Sequence, residues 1–281
     1  MKERIILFLK GMILGSAMII PGVSGGTLAI SLGIYEKIIN VITHFFKNFK
    51  ENILFIINIG LGILASLVLG ALILDYTFEH YPIPTIIFFI GLLIGSIPAL
   101  LKKANFKNTI KISNVFYFLV GISLVLGVYL LKGNSEVTFS NGFNLVQTIK
   151  LVLVGVVAAA TLVVPGISGS FVLMVLGYYK PILGVITDTI KFNNIGNNLM
   201  ILAPFGVGIV VGIIGIAKLI EYLLKNHETK TYYAIIGFLI ASIIEIFISL
   251  FSYQTSIIQV IVSVILFVLG LLLTLKVFKS E

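Results

Sequence analysis

PGVSGGTLAISLGIYE at residues 21–36 decides the reading of this chain, because PGISGSFVLMVLGYY at 165–179 repeats it 144 positions later. The match runs past the strings themselves. Gly11 aligns with Gly155, Leu32-Gly33 with Leu176-Gly177, Tyr35 with Tyr179, Ile38 with Ile182, and Val41-Ile42 with Val185-Ile186. Proline in an apolar run removes a backbone donor, and glycine favours dihedrals outside the helix. At membrane depth such a break survives only where it is buried in protein or lines a watery cavity. A hydrophobic chain in two related halves, each broken near its start, has the pattern of a repeat-built transporter.

The repeat covers whole halves. Ile90-Gly91-Leu92-Leu93-Ile94-Gly95-Ser96-Ile97 matches Ile236-Gly237-Phe238-Leu239-Ile240-Ala241-Ser242-Ile243 at an offset of 146, and Gly60-Leu61-Gly62-Ile63 matches Gly206-Val207-Gly208-Ile209 at the same offset. The expected division is a first repeat at 1–132, an extracytoplasmic connector at 133–148 and a second repeat at 149–281, all in one membrane domain.

Of the 281 residues, 59% are apolar and 11% charged, with a mean hydropathy of +1.16. Soluble domains carry about a quarter charged residues, so this is an integral membrane protein. Cysteine is absent, which excludes disulfides, thiolate metal sites and cysteine catalysis. The basic residues before the first apolar run could mimic a signal peptide, but Lys10 interrupts that run and the half-to-half match begins at Gly11, so the segment belongs to the fold. The net charge of +8 lies in short loops between apolar segments, so no nucleic-acid partner is expected.

Apolar segments fall at 5–20, 27–46, 52–74, 84–101 and 113–131, then at 149–164, 171–187, 199–220, 232–251 and 256–275. A spanning helix needs about 20 apolar residues. The segments before each motif hold 16. Each motif is therefore expected to turn a helical hairpin that enters the membrane and returns, and the other three segments of each half to cross fully. With the N-terminus in the cytoplasm, 15 of the 19 lysines and arginines fall on the cytoplasmic side; only Lys132, Lys150, Lys180 and Lys191 lie outside, with Asp75, Glu79 and His80. Three crossings per half invert the second half. The expected fold is an all-α integral membrane protein of two inverted-topology repeats, each a re-entrant helical hairpin broken at PGxSG plus three transmembrane helices, with both termini cytoplasmic. The hairpin tips then point at each other, the usual basis of alternating access.

At each tip the glycines expose backbone N–H groups, and Ser24, Thr27, Ser168 and Ser170 add hydroxyls. A helix N-terminus beginning there suits an anion, phosphate above all. Close helix packing in lipid is the alternative use of the same small residues. Ionisable groups in apolar segments are functional candidates. Glu245 stands within IIGFLIASIIEIFISL, and Glu36-Lys37 and Lys180 follow the two LGxY strings. Glu36 and Glu245 are the coupling candidates. Arg4, Lys10, Lys37 and Lys180 are candidates to meet a phosphate; lipid attraction for Arg4 and Lys10, and snorkelling for both later lysines, are the alternatives. Lys218 and Glu221 are placed to pair along one helix. His44, His80 and His227 form no metal spacing, so no metal site or cofactor is expected. Tyr117, Tyr232, Tyr233 and Tyr253 read as interface anchors.

The doubled motif with its LGxY continuation resembles the PopT-type polyprenyl-phosphate (undecaprenyl phosphate) transporter family, formerly a membrane family of unknown function, over nearly the whole chain. The resemblance implies a flippase of the bacterial plasma membrane that returns undecaprenyl phosphate from the outer to the inner leaflet for peptidoglycan and other envelope polymers. Its phosphate-facing positions would be Pro21, Gly22, Ser24, Gly25, Gly26 and Thr27, with Pro165, Gly166, Ser168, Gly169 and Ser170. The second copy departs from the first at Ser170 and Phe171, so an asymmetric site is expected. The headgroup would sit between the tips and the polyprenyl tail stay in lipid. The competing readings are a small inorganic anion channel or carrier, a scaffold, and an intramembrane enzyme; the missing catalytic cluster weighs against the last.

Overall fold

In a computed structural model, which describes residues 2–19, 24–66, 76–77, 80–130, 137–139, 144–166, 169–254 and 256–279, the apolar segments form helices, and no strand occurs among the described residues. The first half comprises α1 (Lys2–Ile19), α2 (Gly25–Ser31), α3 (Tyr35–Thr43), α4 (Phe49–Ala65), α5 (Pro82–Lys103), a single turn α6 (Phe106–Thr109) and α7 (Ile112–Leu130). The second comprises α8 (Leu145–Val163), α9 (Gly169–Val175), α10 (Tyr179–Ile190), α11 (Ile195–Asn226), α12 (Glu228–Ser249) and α13 (Ile257–Lys279). The repeat reappears in the element bounds. α2 and α9 occupy equivalent residues at the 144 offset, and α5 and α12 do so at 146.

The LGxY strings explain themselves here and correct an expectation. The segments 27–46 and 171–187 are not single helices. Each is cut after two turns, at Gly33 (φ +68°) and Gly177 (φ +76°). The Gly33 N–H donates to the Ile30 carbonyl (2.9 Å) and the Ile34 N–H to Ala29 (3.0 Å); Gly177 and Tyr178 repeat this on Met174 (3.0 Å) and Leu173 (2.9 Å). That is the Schellman closure, whose left-handed residue glycine supplies without steric cost.

Five described helices are long and apolar enough to cross a membrane: α5, α8, α11, α12 with its continuation to Ser252, and α13; α7 offers a shorter apolar stretch at Ile112–Val128. α8, the arm ahead of the second motif, has 19 residues and is about 28 Å long, close to the hydrocarbon thickness of about 30 Å. The acidic loop around Asp75 and Glu79 and half of the connector lie outside the described residues.

The helices pair through glycine. α1 packs on α4, and its counterpart α8 on α11. Gly11 meets the Ile59 backbone and Gly155 the Phe205 backbone so closely that no Cβ would fit. The last helices are exchanged between halves: α5 packs on α13 and α12 on α7. Gly91 lies against the Phe267 carbonyl and Gly237 against Phe118, in one crossing and its counterpart. Phe118-Leu119-Val120-Gly121 and Phe267-Val268-Leu269-Gly270 thus form a further repeat at an offset of 149. Small residues at such crossings let backbones approach where lipid provides no hydrophobic drive. The main core surrounds α2, with Leu28, Ala29 and Ile30 packed among Tyr35, Ile39, Leu92, Leu93, Tyr233 and Leu239.

Two tyrosines expected at the interface are instead in this core. Tyr232 is 4% and Tyr233 1% exposed. Tyr233 stacks on Phe106 with ring centroids 5.3 Å apart, and Tyr232 donates to the Glu36 carboxylate. The expected Lys218–Glu221 pair is also replaced: Glu221 pairs with Lys225 one turn later and lies 3.5 Å from His44 Nδ1.

Replacing Gly237 with leucine should force α12 off Phe118 and cost about 1–3 kcal/mol. Detergent-solubilised Gly237→Leu should therefore melt several degrees below wild type. Gly206→Ala, where a Cβ meets nothing within 4 Å, should melt at or above it.

Candidate functional site

At the start of the second motif, backbone groups of Val163 and Gly166 are met from three other helices. α8 ends at Val163, and Val164 goes into an extended conformation (ψ 124°) ahead of buried Pro165. Gly166 has φ +90°, and a Cβ there would lie 2.9 Å from the Phe238 carbonyl and 3.0 Å from Ser242 Oγ. Only glycine fits. Its N–H donates to Thr27 Oγ1 of the first motif at 2.9 Å. The Ser242 hydroxyl lies 3.3 Å from the Gly166 carbonyl and 3.0 Å from that of Phe238. The Tyr35 hydroxyl donates to the Val163 carbonyl at 2.9 Å, capping a helix end from the opposite half.

The two motifs therefore touch. A Cβ on Gly26 would lie 3.2 Å from the Pro165 Cα, so the strings pack backbone to backbone. Ser24 is the N-cap of α2. Such a serine normally turns its hydroxyl onto its own helix. Here Oγ makes no cap bond, and although Ser24 is only 4% exposed, this hydroxyl has no hydrogen-bond partner among the described residues. A buried hydroxyl left unpaired costs about 1–3 kcal/mol and calls for an explanation. α2 and α9 have seven residues each, so their dipoles are small, and the individual hydroxyl and first-turn N–H groups matter more.

Gly25 differs from its neighbour: a Cβ there would meet nothing within 4 Å. It borders a cleft of about 210 Å³, lined by Gly25, Gly26 and apolar side chains of α1–α4, α8 and α11. Beyond α3 lies a polar cleft of about 450 Å³, lined by Glu36, Asn40, His44, Lys47, Glu221 and Tyr232 among others. Ile39 lines both. Glu36, on α3 outside the spanning helices, accepts from Lys103 Nζ at 2.6 Å and from Tyr232. Partial burial works to raise its pKa, but the hydrogen bonds from Lys103 and Tyr232 and the lysine charge outweigh this, and the net direction is downward. Glu36 is held as a carboxylate, tying α3 to α5 and α12.

Of the residues singled out in the sequence, Ser24, Gly25, Gly26, Thr27, Pro165 and Gly166 come together. Pro21, Gly22 and Ser168 lie outside the described residues, as does the side chain of Ser170; Gly169 opens α9, where a Cβ would lie 2.8 Å from Thr161 Oγ1. Arg4 and Lys180 are exposed on α1 and α10, and Lys10 is half-buried on α1. Lys37 holds its ammonium 5.2 Å from the centre of the Phe55 ring. None of the four lines the cleft at Gly25. Glu245 is half-buried on α12. Three contributors escaped the sequence reading: Tyr35, Ser242 and Lys103. The first two stood in matched repeat strings, as Tyr35/Tyr179 and Ser96/Ser242, which was the available signal; Lys103 looked like any loop-flanking lysine.

A family model described as VCA0040-like, undecaprenyl phosphate translocase-like, matches residues 2–49 and 14–263. The chain is 35% identical over 269 residues to a polyprenyl-phosphate transporter of Staphylococcus aureus, covering 95% of this chain and 93% of the relative. It is 29% identical over 254 residues to a polyprenyl-phosphate transporter of Vibrio cholerae, covering 85% and 76%. No solved structure matches.

Thr27→Val keeps the shape of the side chain but leaves the buried Gly166 N–H unpaired, at a cost of about 1–3 kcal/mol. Its melting midpoint should fall below wild type, and Thr27→Ser should recover most of the loss. Equal midpoints for Val and wild type would show that the Thr27–Gly166 contact does not hold the motifs together.

Proposed function

We propose that this chain, which belongs to the undecaprenyl phosphate translocase-like family, carries a polyprenyl phosphate across a bacterial membrane. It is a transporter and not an enzyme, as its family and relatives are named. In the finer reading the lipid is undecaprenyl phosphate, returned from the outer to the inner leaflet of the plasma membrane for envelope polymer synthesis. The two halves, 1–132 and 149–281, joined by 133–148, work as inverted repeats with both termini in the cytoplasm. Their PGxSG breaks are the facing tips of re-entrant hairpins, between which the phosphate binds during alternating access.

The observation that carries this reading is the buried hydroxyl of Ser24, unpartnered among the described residues, where the two motifs meet. A phosphate brought out of water needs several donors. Ser24 Oγ and the N–H groups of Gly25 and Gly26, which precede the first helical bond of α2, supply them. Pro21, Gly22, Ser168, Gly169 and Ser170 complete the proposed site by their place in the repeat. The apolar cleft reaching Gly25 favours an amphipathic ligand over a hydrated inorganic anion. Its lining carries no basic residue, so Arg4, Lys10, Lys37 and Lys180 are proposed as counter-charges along the entry and exit routes. If transport is ion-coupled, Glu245 suits the role better than Glu36. It lies within a spanning helix with no hydrogen-bond or ion-pair partner among the described residues, whereas Glu36 is bound by Lys103 and Tyr232.

Leaflet-resolved undecaprenyl phosphate in proteoliposomes tests the reading. Wild type should move the lipid well above protein-free vesicles. Gly25→Leu, whose Cβ meets nothing within 4 Å among the described residues and whose side chain enters the cleft, should reduce the rate at least about tenfold with an unchanged melting point. Movement no faster than in empty vesicles would sink the proposal. An imposed pH difference should change the wild-type rate but not the rate of Glu245→Gln; a wild-type rate indifferent to the gradient would remove proton coupling.

A further inference from the structure

The cleft at Gly25 lies in a seam between the halves, walled by α1–α4 on one side and by Leu162, Val163 and Ile213 of α8 and α11 on the other. The Tyr35 hydroxyl in its lining already donates to the Val163 carbonyl. Leu162 in its wall is 51% exposed, and the cleft is open to the exterior of the protein instead of being sealed within it. A cavity of this character offers a charged or hydrated ligand nothing, but it starts at the glycines that adjoin the unpartnered Ser24 hydroxyl. The fold does not require it at both ends of the repeat. The equivalent glycine, Gly169, faces Thr161 Oγ1 where Gly25 faces open space.

We propose that this cleft holds the first one or two isoprene units next to the phosphate, so that the protein binds a prenyl phosphate by its chain as well as by its head. The proposal rests on the transport reading above and departs from the expectation that the whole tail stays in lipid. The size fits: a dry cavity of about 150 Å³ accommodates the six carbons of benzene, and this one measures about 210 Å³. The head-and-chain geometry also commits the ligand's orientation, with the phosphate at Ser24–Gly26 and the hydrocarbon leaving between α3 and α8 toward lipid.

A chain passing from bilayer to cleft exchanges one apolar setting for another, so the gain is legible only with probes that come from water. Inorganic phosphate, dimethylallyl phosphate and geranyl phosphate are titrated onto the purified full-length protein in detergent, with melting shifts as the binding readout, and onto proteoliposomes as competitors of undecaprenyl phosphate movement. Dimethylallyl phosphate should act at concentrations at least about tenfold below inorganic phosphate, the effect of removing about two methylene equivalents from water, and geranyl phosphate lower still. Ile42→Phe, which fills the cleft from α3, should bring the prenyl probes back toward inorganic phosphate while leaving the response to inorganic phosphate unchanged; Ala29→Leu fills it from α2 and serves if Ile42→Phe does not fold. Equal potency of all three probes overturns the proposal, as does a prenyl preference that survives both variants. Prenyl-selective binding without lipid movement would leave the subsite standing and refute the transport reading instead.

Discussion

A backbone broken in an apolar interior must find its hydrogen-bond partners elsewhere in the protein, and at Pro165–Gly166 it finds them in the other half and on α12. Thr27 accepts from the Gly166 N–H, Tyr35 donates to the Val163 carbonyl, and Ser242 reaches the Gly166 carbonyl. Each of these groups would be costly to leave unpaired in an apolar interior. The break therefore binds the halves together at their centre. It also brings the two copies of the motif into contact, Gly26 against Pro165 and Thr27 against Gly166.

The outer frame obeys a different constraint. Helix pairs in lipid gain little from hydrophobic burial, so close backbone contact at glycine takes its place. Two of these pairs, α1–α4 and α8–α11, stay within a half, and two, α5–α13 and α7–α12, join the halves. The short pieces α2 and α3 lie in the main core, while α9 packs on α8 and α10 on α11. Schellman closures at Gly33 and Gly177 end α2 and α9 after two turns. Short elements with so few internal hydrogen bonds depend on their surroundings for stability, which suits parts that rearrange around a substrate.

At the site itself, charge and hydrophobicity are kept apart. The cleft at Gly25 is apolar, with a buried hydroxyl beside it, while the polar cleft beyond α3 holds Glu36, His44, Lys47 and Glu221. α3 forms the wall between them, with Ile39 touching both, and Glu36 anchors it to Lys103 and Tyr232. An amphipathic ligand matches this division better than a small ion does.

Much of this was legible in the amino-acid order. The doubled PGxSG string, the 146 offset and the apolar fraction determined a helical membrane protein of two repeated halves, and the resemblance they carried is borne out by the family match. They did so because a proline–glycine break and a run of apolar residues act locally, through dihedrals and transfer from water. Tertiary structure alone decided the rest. That Tyr232 and Tyr233 are core rather than interface, and that Glu221 faces His44, depends on neighbours distant in sequence. So does the inequality between Gly25, which faces open space, and Gly169, which faces Thr161. Two nearly identical strings differ in their freedom because the helices packed around them differ, and a short motif carries no record of its surroundings.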